Sequence, residues 1–264
     1  MLLFVIACLL LGSIVGVLAG MLGIGGGLII VPVLSYLFTE HLAFDAYVAM
    51  PIAIATSLST IIFTGMSSAR AHYKLGNLDT SIVIWVALGI AFGATMGAQI
   101  ASMLPAQQLT VVFAVLVLGV AAQMVFGKPK PSRFEAKPLL LVIVGLIAGI
   151  LAAIMGIGGG ALLVPALILL QVNIRIAIGC AALSGIVIAI FGTSSFIYAG
   201  WGQALPDSTL GYVYWPATLS IAATSVFTAG VGARIGQNLQ TDKLKKVFAG
   251  LLVLISLKMI IGMT

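Results

Sequence analysis

Seven long stretches of this chain carry no Asp, Glu, Lys or Arg: residues 1–39, 46–69, 80–127, 138–174, 176–206, 208–233 and 247–257. A helix crosses the hydrocarbon of a bilayer in about 20 apolar residues, rising roughly 1.5 Å with each. Residues 80–127 therefore hold two crossings, turned near residues 104–108. Only 7% of the residues are charged and 62% are hydrophobic, whereas soluble domains carry about a quarter charged residues. A soluble fold of 264 residues has nowhere to hide so much apolar surface, so the chain's solvent is a lipid bilayer.

The charge balance is 12 Lys+Arg against 6 Asp+Glu, a net +6. The basic residues sit between apolar runs, where they orient helices; they do not form a nucleic-acid patch. The first charged residue is Glu40, and no basic stretch of the kind that opens a signal peptide precedes the first apolar run. Cys8 and Cys180 lie inside apolar runs with no CxxC or metal spacing. His41 and His72 read as loop residues on opposite sides, so no metal site and no cofactor are expected.

Runs 1–39 and 138–174 are too long for one ordinary crossing, and each carries a glycine cluster part-way: Gly23-Ile24-Gly25-Gly26-Gly27 and Gly156-Ile157-Gly158-Gly159-Gly160. Glycine weakens helices and accepts left-handed backbone, so the helix should break there. The expected helices are about 2–22, 28–38, 46–66, 80–103, 109–126, 139–155, 161–171, 176–199, 211–233 and 243–262. Segments 28–38 and 161–171 are too short to span and read as second arms of helical hairpins.

The chain is internally duplicated. Residues 12–32 align with 145–165 at a constant offset of 133, with 12 identities in 21 positions, including all the cluster glycines and the Pro32/Pro165 pair. Near the ends of the halves, Gly97-Ala98 recurs as Gly232-Ala233, and Val112-Phe113-Ala114 as Val247-Phe248-Ala249. The halves are read as residues 1–126 and 139–264, joined by a basic linker, 127–138. Loop charges alternate in opposite senses in the two halves. The positive-inside rule puts 65–79, the linker, 171–175 and 234–246 on the cytoplasmic side. All four agree only if each glycine-broken segment enters the membrane and returns to the side it came from. The halves are then inverted repeats, a pattern of secondary transporters. The expected fold is an all-α polytopic membrane protein. Each half is a Gly-broken hairpin followed by three transmembrane helices.

Two consecutive, duplicated GGG runs exceed what close helix packing needs. Broken backbone at depth frees N–H groups at the start of the following helix, and these favour anions. Gly25, Gly26, Gly27, Gly158, Gly159 and Gly160 are therefore candidate substrate-binding positions. Ser57, Ser59, Ser184 and Ser194 can donate to an anion without burying a charge. Back-bonding to the carbonyl one turn earlier is the equal alternative for such hydroxyls. Arg70 and Arg234, near helix ends, are either cytoplasmic anchors or capture an anion at that side. Two glycine stripes, Gly12/Gly16/Gly20 and Gly89/Gly93/Gly97, read as packing faces. No Asp or Glu falls inside an expected span, so a buried carboxylate is not available for proton coupling. Coupling through H⁺ or Na⁺ stays open.

At these residues the chain resembles the sulfite exporter TauE/SafE family. The resemblance rests on the paired Gly-rich stretches with Pro32 and Pro165, on His72 to Asp79, and on Gly232-Ala233-Arg234. Gln99 stands in the first half where the second has Arg234. It implies a permease of the bacterial-type inner membrane, with two homologous halves and small sulfur-containing anions as substrates: sulfite, sulfoacetate and other sulfonates, or thiosulfate. The residues leave open a passive anion channel, or a carrier of another small organic anion. An intramembrane enzyme would need a Ser/His or metal constellation at depth.

Overall fold

The computed structural model describes residues 1–23, 25–126, 137–238, 249–250, 252–254 and 256. Nine helices are bounded among them: α1 Leu2–Leu22, α2 Gly27–Glu40, α3 Ala46–Lys74, α4 Thr80–Met103, α5 Ala106–Phe126, α6 Pro138–Met155, α7 Gly160–Leu169, α8 Ile174–Ala199 and α9 Trp215–Asn238. A two-residue hairpin, β1 Thr209–Leu210 with β2 Val213–Tyr214, precedes α9. Seven helices are long and apolar enough to cross a membrane; α2 and α7 are the short ones. Of the expected helix 243–262, only residues 249–250, 252–254 and 256 are described, and these are helical. The basic residues Lys128, Lys130, Arg133, Lys243, Lys245 and Lys246 lie outside the described residues, as does Ile24.

The glycine clusters end α1 and α6. Gly23 and Gly156 cap these helices in the left-handed conformation, at φ 66° and 63°; Gly26 and Gly159 open α2 and α7 at φ 78° and 74°. A β-carbon disfavours that backbone by roughly 1–2 kcal/mol per residue. Glycine at both turns is therefore what permits two helices to be joined by so few residues. Polar caps start the long helices that follow. The Asp45 side chain accepts from the Tyr47 amide at 3.0 Å, and the Asn173 side chain accepts from the Arg175 amide at 3.0 Å.

The glycine stripes set the packing. Gly12, Gly16 and Gly20 of α1 lie against the backbone of Ile221, Ser225 and Ala229 on α9. Gly89, Gly93 and Gly97 of α4 lie against Val142, Leu146 and Ile150 of α6, while Gly145 and Gly149 return the contact onto Val86 and Ile90. Residue numbers rise together in both pairs, so both are parallel. Without a hydrophobic force between helices in lipid, such close backbone approach is what dispersion needs.

Two further relations fix the centre. Along α3 and α9, Ser59 meets Thr218, Thr64 meets Ser225 and Ser67 meets Val226, so these helices are parallel. Along α3 and α8, Leu58 meets Gly192, Gly65 meets Ile186, and Asn77 just past α3 meets Gly179. Here the numbers run in opposite senses, so α3 and α8 are antiparallel. Phe38 near the end of α2 stacks on Phe4 near the start of α1, with ring centroids 6.1 Å apart. The first hairpin therefore leaves at the end of the bundle where it entered. Tyr214 closes the same end, edge-on to Phe4, Phe38 and Phe44.

Three boundaries differ from the sequence reading: the end of α3 and both ends of α9, which runs on to Asn238 where about 233 is expected, so that Arg234 is helical and not in a loop. Helix α3 runs on to Lys74, not to about 66. Residues 67–74 are polar but have adequate helix propensity, and hydropathy stops a predicted span before the backbone stops. Arg70 and His72 are therefore helical, not in a loop. Residues 211–214 are turn and strand; α9 begins at Trp215.

Candidate functional site

The two glycine breaks meet at the centre of the molecule. A β-carbon built on Gly25 would fall 2.7 Å from the α-carbon of Gly158, and one on Gly27 would overlap the carbonyl of Gly156. Gly26 packs on Val15 and Gly159 on Ile188, so neither can carry a side chain without displacing its neighbour. Gly160 is buried as the first residue of α7. Among the described residues, no acceptor serves the N–H groups of Gly25, Gly26, Gly27, Gly158, Gly159 or Gly160. Those of Gly27 and Gly160 belong to the first turns of α2 and α7, at their positive dipole ends.

Between the breaks lies a cavity of about 10 Å³, lined by Gly23, Gly25, Gly158, Gly185, Thr64 and Ser68 together with small or apolar neighbours. That volume holds about one water molecule. No charged side chain lines it, so an anion there would be met by amide hydrogens and hydroxyls alone. Thr64 is already engaged, donating to the Thr60 carbonyl at 3.0 Å and lying 2.6 Å from the Ser225 hydroxyl. Ser68 is buried and its hydroxyl has no partner.

The expected serines divide. Ser57 donates to the Gly156 carbonyl at 2.8 Å and so ties α3 to the second glycine break. Ser59 bonds the Thr56 carbonyl at 2.7 Å and lies 2.6 Å from the Thr218 hydroxyl. Both are buried and satisfied within the protein. Ser184 is buried without a partner, next in sequence to the cavity-lining Gly185. Ser194 is exposed on α8 and is not brought to the cavity; its neighbour Ser195 is buried, accepting from Gln99 Nε2 at 3.0 Å. Arg70 and Arg234 are exposed. They sit about one turn beyond the contact of Ser67 with Gly230 on the parallel helices α3 and α9, so both lie toward the same end of the bundle.

Sequence reasoning stopped at residues 56–60 and missed Thr64, Ser68 and His72. The signal was present: Thr56, Thr60, Thr64, Ser68 and His72 are each four apart, which places them along one side of a helix. All five are buried. Thr218 and Ser225 of α9, which pair with this side, carried no comparable signal in a helix otherwise rich in Ala and Thr.

The model of the sulfite exporter TauE/SafE family matches residues 8–259. A probable membrane transporter protein of Haemophilus influenzae is 39% identical over 97% of this chain and 98% of its own. Probable membrane transporter proteins of Bacillus subtilis and Methanocaldococcus jannaschii are 26% and 25% identical, over 95% and 96% of this chain and 95% and 94% of theirs. No solved structure gives a significant match. Spanning helices, a family match over nearly the whole chain and full-length relatives named as membrane transporters agree, and this multi-pass membrane protein belongs to the sulfite exporter TauE/SafE family.

Proposed function

We propose that the chain is a secondary transporter of small sulfur-containing anions such as sulfite, sulfoacetate and other sulfonates, or thiosulfate. It works by alternating access and not as an enzyme. The observation that carries this reading is the meeting of Gly25 and Gly158 beside a cavity that the unpartnered Ser68 hydroxyl also lines. Small oxygen-rich anions suit backbone N–H groups and helix N-termini. The antiparallel course of α3 and α8, the first long helices after each glycine-broken hairpin, supports an inverted relation between halves 1–126 and 139–264. Arg70 and Arg234, exposed toward one end, are placed to attract the anion to its entrance or exit.

The test is counterflow in proteoliposomes preloaded with sulfite, sulfoacetate or thiosulfate. Saturable counterflow of at least one anion is expected. Replacing Ser68 by Leu, which fills the cavity, should reduce it at least tenfold while the protein still inserts. Unsaturable flux in the wild type would favour a channel, and full activity of the Ser68→Leu protein would remove the cavity from the path.

A further inference from the structure

His72 is the one ionisable side chain among the described residues that is both buried and set beside the cavity by two helices. On α3 it follows the cavity-lining Ser68 by one turn. From α1, the Gly20 carbonyl lies 3.3 Å from its Nε2, and Gly20 falls between Ala19 and Gly23, which line the same cavity. A carbonyl only accepts, so Nε2 carries the ring proton and Nδ1 carries the free lone pair. Among the described residues Nδ1 is buried with no partner, as is the Ser68 hydroxyl. Two polar atoms one turn apart are thus unsatisfied among the described residues: the hydroxyl of Ser68, which lines the cavity, and Nδ1 of His72, one turn beyond that lining. Burying polar atoms unpaired costs about 1–3 kcal/mol each, and groups left so are explained when a guest completes them.

We infer that His72 is the proton site that couples anion movement to a pH gradient, an assignment that rests on the transporter reading above. The step forms and breaks only an N–H bond. The Nδ1 lone pair takes a proton from water on the side where the anion enters, giving an imidazolium. The imidazolium offsets one unit of the anion's charge while the anion is bound between the glycine breaks. When the anion leaves on the other side, the proton leaves Nδ1 to water there. A buried imidazolium alone is costly, and so is a buried anion alone; together they are less so. This makes loading joint and the transport a symport. The other titratable or charged groups on the packed elements are Tyr47, Arg70, Tyr73 and Lys74 on α3, Asp79 in the following turn, and Tyr198 at the far end of α8. Beyond them are Cys8 on α1, Arg175 and Cys180 on α8, and Arg234 on α9. Among the described residues none of them bonds His72.

Two measurements test this. Thiosulfate and sulfoacetate stay ionised between about pH 6 and 8, the range in which imidazole titrates, so a pH effect on their movement reports the protein. In vesicles with the membrane potential clamped, one proton per anion should give about tenfold accumulation per pH unit. In His72→Gln the ratio of gradient-driven flux to counterflow should fall to that of vesicles at equal pH. A retained gradient response in His72→Gln overturns the inference. So does wild-type counterflow that answers to a Na⁺ gradient, or to no gradient, rather than to pH. Absence of any counterflow in the wild type sinks the transporter reading itself, and the inference with it. Should His72→Gln fail to insert, ¹⁵N NMR of the imidazole decides. The chain has two histidines, so His41→Gln, at an exposed position, leaves His72 as the sole signal. Added thiosulfate at fixed pH should protonate Nδ1; unchanged ring nitrogens would overturn the assignment.

Discussion

Helices α3 and α8 follow the two hairpins and lie antiparallel at the centre, yet they are equipped differently. Along α3, hydroxyls meet hydroxyls of α9: Ser59 with Thr218 and Thr64 with Ser225, each at 2.6 Å. Along α8, among the described residues, Ser184 and Thr193 are buried with no partner, and Ser195 links it to α4 through Gln99 and the Thr95 carbonyl. The two breaks thus share their left-handed glycine turns, while the hydroxyl contacts of the helices that follow them differ. The two glycine breaks differ in the same manner. Gly26 packs on Val15, a β-branched residue fixed in its rotamer, whereas Gly159 packs on the terminal methyl of Ile188, which can swing aside.

That contrast has its largest consequence at the breaks. Gly26→Ala and Gly159→Ala each impose left-handed backbone on a residue with a β-carbon, costing roughly 1–2 kcal/mol. Gly26→Ala adds overlap with the stiff Val15, typically about 1–3 kcal/mol more in a packed interior. Thermal denaturation in detergent should therefore place Gly26→Ala well below Gly159→Ala, with both below the wild type. Equal losses would mean that the two breaks are mechanically equivalent. The outcome also bears on transport: Gly26 substitutions damage packing before they report on anion binding, so the cavity is better probed at Ser68.

Much of this architecture was legible because membranes narrow the choices. Charge-free runs located the spans, and duplicated glycines located the breaks, since left-handed turns between helices leave little alternative to glycine. What escaped was polarity inside a helix. Residues 67–74 read as a loop because Arg70, His72 and Lys74 interrupt the hydropathy, while the backbone stayed helical and buried His72 against α1. The serines escaped for a different reason. Whether a hydroxyl bonds its own helix, another helix or nothing depends on its neighbours in space, and Ser57, Ser184 and Ser194 met three different fates. The hairpin before α9 rests on two residue pairs, Thr209 with Tyr214 and Leu210 with Val213, too few to show as a period-two pattern.

A middle-sized effect separates α3 from α8 by their hydroxyl pairs. Thr64→Val keeps the shape of the side chain but leaves the Ser225 hydroxyl buried without its 2.6 Å partner. Orphaning one member costs about 1–3 kcal/mol, and interhelical hydrogen bonds in membranes average about 0.6 kcal/mol, so a loss near 1 kcal/mol is expected in unfolding titrations. The double variant Thr64→Val with Ser225→Ala should recover part of that loss, because removing both partners removes the orphan. If the double variant is as unstable as the sum of the singles, the two hydroxyls are not coupled.

The smallest effect is the most discriminating, because its sign differs between the two helices. Thr193 is buried and its hydroxyl has no partner, so Val at that position removes an unpaid desolvation and no hydrogen bond. Valine has nearly the volume of threonine and the same branching at the β-carbon, so α8 should accept it without repacking. Thr193→Val should therefore leave the unfolding midpoint unchanged or raise it slightly, where Thr64→Val lowers it. If Thr193→Val is instead destabilising by about as much, then Thr193 has a partner in the membrane-embedded protein, such as a water or a bound anion. Repeating the titration with thiosulfate separates these. A bound anion that uses the Thr193 hydroxyl would stabilise the wild type more than the variant by mass action, whereas a structural water would stabilise neither.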